Sequence, residues 1–496
     1  MRGNQPTVIV SDAQAARDLF DKMGTHTSSR PEEYLTAEIA SNGYNIGFQQ
    51  SGPRWRQGRK LYHSILNVGA TRRYLPYQEL ETTKLVYDIL QNPASWRHHV
   101  FRYSNSIGLL LTTGRRVPNA DDPNIQEIRD NFHEFAMIQI NGGLLDYFPL
   151  LRKLPDWLFP SARHARQHCV KDAKIALKHY LPAKDSSNPR SVLPSFNKAL
   201  AEKQEKEGFP DIQGARWGLD LLTAATDTTS NTLVNLFAVM ALFPEVQRKA
   251  HEGIPQKPTP HIPNRSIFLA DIATSKKELD RAIGPDRIPT HADATSLPYI
   301  RQVVQELHRW SSVTPFCLPH ATTRDLTYAS YTIPANTTLI INAWHMHNDP
   351  AVYPSPRDFK PERWEGRLNA NHSLDEESVG ARNELFVFGA GRRICPGQHL
   401  AEKNLFLTVS KILWACEISR KKDERGVDVP IDADEFTPGG VISLAEYAVN
   451  IKPRSEGRNA VIKAEWEAGR AGFLDEEEQW KKVPEGVEEL MVRVKH

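Results

Sequence analysis

Apolar residues recur at intervals of three and four along most of this chain, which is the spacing of amphipathic helices. This periodicity predicts helices over residues 11–20, 55–66, 78–90, 124–140, 216–242 and 298–310. The segment 216–242 is the longest and is apolar on most sides, so we expect it to be central and buried. Strand-like patterns occur at 7–10, 328–333 and 337–342, the last two expected to pair around a turn at Pro334. The sequence therefore predicts a mainly α fold with a minor β region.

One segment, residues 253–276, departs from this pattern. Four prolines fall within nine residues, from Pro255 to Pro263, directly after a helix start at 244–250. Prolines are not accommodated in a helix interior, and deleting the segment would join two halves of one amphipathic helix. We interpret it as an unspliced intron or other gene-model error, with a genuine surface insertion as the alternative. Otherwise we expect a single domain over 1–496, and transcript sequencing decides between the two interpretations.

Composition narrows the class of protein. Of the 496 residues, 40% are hydrophobic and 25% are charged, which is typical of globular proteins. The net charge of +2 gives no strong field that would recruit nucleic acid. The four cysteines are too few and too scattered for a disulfide framework. We expect no signal peptide and no membrane anchor in the chain as given, because no stretch approaches the roughly 20 apolar residues of a membrane span.

The run 386–397, Phe-Val-Phe-Gly-Ala-Gly-Arg-Arg-Ile-Cys-Pro-Gly, presents Cys395 as a candidate iron ligand. Its three glycines let the backbone turn tightly and approach a flat ligand. Arg392 and Arg393 favour thiolate over thiol, and the helix predicted after Gly397 places its N-terminus close to the sulfur. Thiolate ligation of haem iron favours cleavage of the O–O bond. The alternative is a buried structural cysteine in a glycine-rich loop.

The spacing of Phe388, Arg393, Cys395 and Gly397 resembles the haem-binding loop of the cytochrome P450 family. The resemblance covers about residues 7–453. It implies a helical triangular prism around haem b, with Cys395 as the iron ligand and the other three residues in contact with the cofactor. The haem would lie between the central helix and the thiolate loop.

Glu306 and Arg309 are three residues apart on a predicted helix and can pair on one face. Alone, this pair is usually a solvated surface pair. Arg363, in a Pro-Glu-Arg sequence, can supply a second guanidinium, and the order of these motifs before the cysteine loop resembles the structural triad of the family. We assign the three residues to holding the thiolate loop, without a part in the chemistry.

An acid and an alcohol, Asp227 and Thr228, lie in the middle of the apolar central helix, where they are unfavourable unless used. We interpret them as a proton relay in which Thr228 contacts the oxygen substrate and Asp227 gathers protons from solvent. A capped kink in a core helix is the alternative. The motif resembles that of the family, but Ala225 replaces the usual glycine, at the point where the helix normally widens to admit oxygen.

Trp55 and Arg59 fall four residues apart on one helical face, and with His320 and Arg393 they predict a cage for the two haem propionates. Each of these residues taken alone is more often a surface residue. We give His345 and His347 no role, because no companion ligand spacing accompanies them.

Five basic residues are expected on the side where the thiolate loop faces outward, and they suit an acidic electron-donor protein, a solvated helix face being the equally supported alternative. They are Arg56, Lys60, Arg392, His399 and Lys403. Four mostly apolar segments are expected to choose a lipophilic substrate. They are residues 41–48, the helix face near Leu221 and Ala224, residues 313–318 and residues 438–442.

Short motifs at 45–48, 52–55, 297–301 and 388–393 look like those of fungal members acting in secondary metabolism, similar to the O-methylsterigmatocystin oxidoreductase group. The resemblance implies a monomeric monooxygenase that inserts one atom of O₂ into a lipophilic molecule. Its electrons would come from NADPH through NADPH-cytochrome P450 reductase at the endoplasmic reticulum membrane. Members of this type carry an N-terminal membrane helix, a hinge and a first strand, so we interpret this chain as truncated at its N-terminus.

Two alternatives remain open from the sequence. One is an O₂-independent haem-thiolate isomerase or dehydratase, which would have no need of Asp227 and Thr228. The other is a non-catalytic or non-functional haem-binding fragment, which Ala225, the expected truncation at the N-terminus and the proline-rich segment keep open. Haem incorporation without NADPH consumption in the presence of a reductase would favour the second.

Overall fold

The computed structural model describes residues 5–185, 193–252, 278–368 and 385–484. The proline-rich segment 253–276 lies outside the described residues, so its interpretation stays a prediction. Within the described ranges, no helix combines the length and apolarity that crossing a membrane requires.

Helices make up most of the described chain. In chain order they are α1 Ala13–Ala16, α2 Gly24–Thr27, α3 Pro53–Leu66, α4 Val68–Thr71, α5 Leu75–Gln91, α6 Trp96–Thr113, α7 Pro123–Asn141, α8 Leu144–Tyr147, α9 Pro160–Tyr180, α10 Phe196–Glu207, α11 Asp211–Leu242, α12 Pro244–Glu252, α13 Pro298–Trp310, α14 Ala343–His347, α15 Gln398–Ala415 and α16 Glu456–Phe473. The predicted helices are all present, but the first is split: α1 has Asp12, not Ser11, as its N-cap and continues as a π-helix over Arg17–Lys22.

The β region consists of short strands in three small sheets. The strands are β1 Thr7–Val10, β2 His320–Ala321, β3 Leu326–Tyr328, β4 Tyr331–Ile333, β5 Thr338–Ile341, β6 Cys416–Arg420 and β7 Val449–Pro453. The sheets are β1-β5-β2, β3-β4 and β6-β7, and β1 runs parallel to β5.

The predicted pairing of residues 328–333 with 337–342 is wrong. Instead, β4 pairs with β3, and β5 pairs with β1 and β2. A turn at Ala329, with φ of +52°, divides the predicted first strand, so that the chain folds back before Pro334 is reached. Period-two patterning indicates a strand but does not identify its partner.

The central helix α11 is the predicted buried helix, extended at its N-terminus to Asp211. The N-terminal and C-terminal parts of α11 lie in the main core. This core contains the fully buried Trp217, Trp310 and Trp414. Helix α6 packs closely on α11 because Gly108 has no side chain: a Cβ atom there would lie 2.9 Å from Thr226 Oγ1. This close packing fixes the helix that carries Asp227 and Thr228.

Candidate active site

The cysteine loop runs from Leu385 to Gly397, directly before α15. The backbone N–H of Cys395 donates to the Phe388 carbonyl at 2.9 Å, and Gly389 donates to Phe386 at 2.9 Å. Gly397 is the N-cap of α15. A Cβ atom on Gly397 would lie 3.8 Å from the sulfur of Cys395, so this glycine lies beside the sulfur atom. The predicted position of Cys395 just before a helix N-terminus is therefore present.

The N-terminal part of the chain supports this loop from one side. Gly391 adopts a φ of +62°, and a Cβ atom there would overlap the carbonyl oxygen of Phe20. The backbone N–H of Gly391 donates to Asp21 Oδ1 at 2.8 Å. Only glycine combines this left-handed conformation with so close an approach.

The charges around the sulfur differ from the expectation. Burial raises the pKa of Cys395, and the backbone N–H of Gly397, the charge of Arg59 and the N–H of Gln398 oppose that rise. The nearby cation is therefore Arg59, whereas Arg392 is exposed and donates to Thr25 at 2.9 Å. Proximity in sequence placed Arg392 and Arg393 beside the cysteine, but their side chains extend away from it.

The predicted cage residues come together. The Arg393 guanidinium lies 4.0 Å from the centroid of the Trp55 ring, and its Nη2 donates to the Gln49 carbonyl at 2.6 Å. Arg59 donates to the Ile394 carbonyl at 2.8 Å, within the thiolate loop. His320 Nδ1 is 2.8 Å from the Thr27 carbonyl oxygen, and its pKa is lowered to about 3 by burial and by Arg30, so the ring is neutral.

The sequence reading missed a fourth basic residue, Arg30. Its guanidinium lies near Arg59 and Arg393. Burial, together with the charges of Arg30 and Arg59, lowers the pKa of Arg393 to about 8. Within the described residues, none of the three guanidinium groups forms a salt bridge with a carboxylate. Mutually repelling cations, of which Arg30 and Arg393 are buried and Arg59 is half-buried, fit a ligand that carries two carboxylates, such as haem with its propionates.

The Glu306 cluster is buried and is satisfied on every side. Arg309 forms two hydrogen bonds with Glu306, at 2.9 and 2.8 Å, and Arg363 Nε approaches the same carboxylate at 3.3 Å. Trp364 Nε1 at 3.0 Å and the Lys360 backbone N–H at 2.9 Å complete the shell. The three residues meet as predicted, and two further donors hold the carboxylate.

His347, to which the sequence analysis gave no role, links this cluster to the thiolate loop. Its carbonyl accepts from Arg309 Nη1 at 2.9 Å, and its Nε2 accepts from the Phe386 backbone N–H at 2.9 Å. Its Nδ1 is 2.6 Å from Ser312 Oγ, which bonds to the His308 carbonyl. Burial, with Arg309 and His308 nearby, lowers the pKa of His347 to about 3, so the ring is neutral. A neutral ring that accepts at Nε2 carries its proton on Nδ1.

Phe388 provides a second contact between the cysteine loop and the C-terminal end of α13. Its ring meets the ring of His308 edge to face, with centroids 5.3 Å apart. The thiolate loop is therefore fixed to α13 both through the backbone of Phe386 and through the side chain of Phe388.

The middle of α11 is less buried than its two ends. Ala224 is exposed in a helix whose flanks are buried. One turn later, the Thr228 hydroxyl donates to the Ala224 carbonyl at 2.7 Å. Burial raises the pKa of Asp227 to about 6, against the charges of Arg129 and His133 on α7. The helix continues without a break through Ala225 and the predicted relay.

Three of the predicted substrate segments are connected to one another. Arg30 Nε donates to the Gly47 carbonyl at 2.7 Å and its Nη1 to the Leu318 carbonyl at 2.8 Å. The Ile442 backbone N–H donates to the Val313 carbonyl at 2.8 Å. Segments 41–48, 313–318 and 438–442 are therefore linked by hydrogen bonds, although they are far apart in sequence.

The expected basic patch is only partly correct. Arg56, Lys60 and Arg392 are exposed, but His399 and Lys403 are buried. Lys403 Nζ donates to Thr71 Oγ1 at 3.0 Å and to the Val68 carbonyl at 3.3 Å. Helix α15 is buried on nearly all sides, so its lysine reaches carbonyl and hydroxyl oxygens instead of solvent.

Comparisons with known proteins agree with this geometry. The sequence profile described as "Cytochrome P450" matches residues 1–262 and 273–434. The chain is 40% identical to the cytochrome P450 monooxygenase alnH of Emericella nidulans, over 100% of this chain and 85% of that protein. It is 36% identical to the cytochrome P450 monooxygenase virE of Hypocrea virens, over 98% of this chain and 84% of that protein.

A third fungal relative is the cytochrome P450 monooxygenase fogE of Aspergillus ruber, at 33% identity over 98% of this chain and 85% of that protein. Among solved structures, a zebra fish cytochrome P450 with abiraterone matches with a TM-score of 0.67. That match covers 92% of this chain and 95% of the other at 21% identity, so it shows the fold alone.

Proposed function

Because this chain belongs to the cytochrome P450 family of oxygen-incorporating oxidoreductases, we propose that Cys395 binds a haem iron and that the enzyme inserts one atom of O₂ into a lipophilic molecule of fungal secondary metabolism. The observation that carries this proposal is the cluster of Arg30, Arg59 and Arg393 beside the Cys395 loop, which fits an anionic planar cofactor. Haem b, when bound, supplies the redox-active iron.

The chain's own residues divide the work around that cofactor. Arg59 and Arg393 would bind the propionates, and Trp55 keeps the Arg393 guanidinium in place by stacking on it. His320 donates its Nδ1–H to the Thr27 carbonyl, so it would donate to a propionate only when Nε2 is also protonated. Phe388 and Gly397 shape the loop around the sulfur. Glu306 and Arg309 on α13, together with Arg363, orient the loop through packing and hydrogen bonds.

Proton delivery is the proposed role of Asp227 and Thr228. A carboxyl with a pKa of about 6 both releases and regains a proton near neutral pH, which suits a relay. The Thr228 hydroxyl lies beside the exposed Ala224, where it can turn from the Ala224 carbonyl toward a bound oxygen substrate. This pairing favours the monooxygenase over a haem-thiolate isomerase that needs no protons from solvent.

Electrons are proposed to come from NADPH through NADPH-cytochrome P450 reductase. The exposed Arg56, Lys60 and Arg392 would meet acidic residues of that partner. Arg392→Glu should therefore slow reduction of the iron by the reductase and leave reduction by dithionite unchanged. An equal rate with the reductase would contradict this docking surface.

We further propose that the enzyme works at the endoplasmic reticulum membrane as a monomer. Leu150 and Trp157, 76% and 70% exposed, belong to a patch of exposed apolar side chains around residues 144–158. Double substitution of Leu150 and Trp157 by Ser should lower the fraction of protein that sediments with microsomes. An unchanged fraction would contradict this contact.

The central experiment is the carbon-monoxide difference spectrum of the reduced, recombinant protein. A strongly red-shifted Soret band is expected for the wild type and for Cys169→Ala, and it should be lost in Cys395→Ala. NADPH consumption with a reductase and a panel of polyketide- and terpene-like molecules then tests turnover. Haem incorporation without NADPH consumption on any panel member would support a non-catalytic haem protein instead.

A further inference from the structure

Asp220 on the central helix accepts two hydrogen bonds from a loop that is far away in sequence. Its Oδ1 accepts from Asn45 Nδ2 at 2.8 Å, and its Oδ2 accepts from the Ile46 backbone N–H at 2.8 Å. One bond comes from a side chain and the other from the backbone. Two donors on two different oxygens fix the direction of the carboxylate as well as the position of the loop.

The loop, residues 41–49, is held on its other side by guanidinium groups. Arg30 Nε donates to the Gly47 carbonyl at 2.7 Å, and Arg393 Nη2 donates to the Gln49 carbonyl at 2.6 Å. Both cations belong to the cluster beside the thiolate loop. The loop therefore contacts Arg30 and Arg393 on one side and Asp220 of α11 on the other.

Asp220 stands on the helix face that carries the proposed chemistry. Ala224 follows it by four residues and Thr228 by eight, spacings that bring side chains onto one face of an α-helix. At 1.5 Å per residue, Asp220 is about 12 Å along the axis from Thr228. The loop therefore lies at the N-terminal end of the face on which Ala224 is exposed.

The chemistry of the monooxygenase does not require a carboxylate at this position. Burial raises the pKa of Asp220 to about 7, although the Ile46 N–H and the charge of Arg216 oppose the rise. An acidic group that is unfavourable in its surroundings is retained where it makes specific contacts. Among the described residues, the hydrogen bonds that the Asp220 carboxylate accepts come from Asn45 and Ile46 of the loop.

We propose that Asp220 is a specificity-determining positioning residue, whose carboxylate latches the 41–49 loop to the central helix. Large lipophilic ligands reach the face of Ala224 and Thr228 only when the two hydrogen bonds open, whereas small ligands pass while they are closed. Loss of the latch therefore changes access according to ligand size and leaves the thiolate ligation intact. The proposal rests on the proposed function for its ligand site, but the latch itself exists without haem.

The test compares Asp220→Ala and Asn45→Ala with Asp211→Ala, a control in the first turn of the same helix. Stopped-flow spectroscopy follows the binding of imidazole, a small probe, and clotrimazole, a bulky one, through the shift of the Soret band. Hydrogen exchange of peptides covering residues 41–49 reports the loop directly. The carbon-monoxide spectrum establishes that the thiolate is intact in each variant.

In Asp220→Ala, we expect exchange of the Ile46 amide and the association rate of clotrimazole to rise roughly tenfold, because a charge-assisted contact is lost. The association rate of imidazole should stay within about twofold of the wild-type rate, because a small ligand passes while the two hydrogen bonds of the loop are closed. Asn45→Ala, which removes one bond from the loop side, should give an intermediate result and provides the test if Asp220→Ala folds poorly.

The proposal is overturned if exchange and the ratio of the two azole rates match those of Asp211→Ala in both variants. It is also overturned if both variants lose the red-shifted carbon-monoxide band that the control retains, since Asp220 would then build the cofactor site itself. Failure of the wild type to show that band would count against the proposed function alone. In that case, hydrogen exchange still shows whether Asp220 holds the loop.

Discussion

His347 accepts the backbone N–H of Phe386 at 2.9 Å, and through this bond the buried Glu306–Arg309 pair is connected to the loop that carries Cys395. The imidazole has a partner on each nitrogen and is completely buried. It therefore connects α13 to the thiolate loop as a neutral hydrogen-bonding group rather than as a titrating group.

His347→Leu should reduce the fraction of reduced protein with a strongly red-shifted carbon-monoxide band. The substitution leaves the buried Phe386 N–H without a partner, and an unsatisfied buried group costs about 1–3 kcal/mol. It also removes the donor to the Ser312 oxygen, although the Ser312 hydroxyl keeps its bond to the His308 carbonyl. His345→Leu, two residues earlier and exposed, is the control. A full red-shifted band in His347→Leu would contradict a role for His347 in positioning the loop that carries Cys395.

Trp55→Leu should accelerate the loss of haem from the protein roughly tenfold. A desolvated cation–π contact contributes up to about 2 kcal/mol, and the Arg393 guanidinium would lose its stacking surface. Transfer of haem to an excess of apomyoglobin measures the rate, and Trp157→Leu at an exposed site provides the control. Equal rates in the two variants would exclude Trp55 from the cofactor cage.

Asp227→Asn should lower coupled turnover by about 10²-fold, because it removes the ionisable member of the relay. In the wild type, product formed per NADPH should fall as the pH rises above about 6, where the carboxyl loses its proton. The variant should lose this pH dependence, and Thr229→Val should keep it. Identical pH profiles for the wild type and Asp227→Asn would rule out the relay.

Asp227→Asn should raise the stability of the folded protein at neutral pH, although it lowers turnover. The carboxyl of Asp227 ionises near 3.8 in the unfolded chain and near 6 in the folded protein, so the free energy of unfolding decreases as the pH rises between these values. Asp227→Asn removes this decrease and should unfold at higher denaturant concentration at pH 7. Denaturation at pH 4 and pH 7 measures the difference, which should be absent at the lower pH.

Ala225→Gly should increase the product formed per NADPH while lowering stability. Removing the methyl group lets α11 widen beside Thr228, and a glycine in a helix interior costs about 1 kcal/mol. Ala238→Gly, later in the same helix, should lose stability without any gain in coupling. A gain in both variants, or in neither, would show that the methyl group of Ala225 does not limit the reaction.

The sequence was sufficient to predict the features whose residues occur at a characteristic spacing. The Cys395 loop, the Glu306–Arg309–Arg363 cluster and the long central helix are present as predicted. The assignment of catalytic and cofactor roles to these residues stays a prediction.

What the sequence did not show depends on contacts between distant segments. His347 is a single histidine without any companion spacing, and its role follows from a backbone N–H 39 residues later. The pairing of β4 was missed because a left-handed residue, Ala329, turns the chain within an apparently continuous strand. Lys403 was expected at the surface because patterning does not reveal carbonyl oxygens that satisfy a buried lysine.

The support that Asp21 gives to Gly391 has a consequence for how this protein is made. The two residues are 370 positions apart, and Arg393 reaches back 365 positions to the Ser28 carbonyl. Contacts of such long range form late, because closing a large loop must precede them. On the ribosome, the pocket cannot be completed until synthesis has passed Gly397. We therefore expect a haem cofactor to be captured only after this part of the chain has been made.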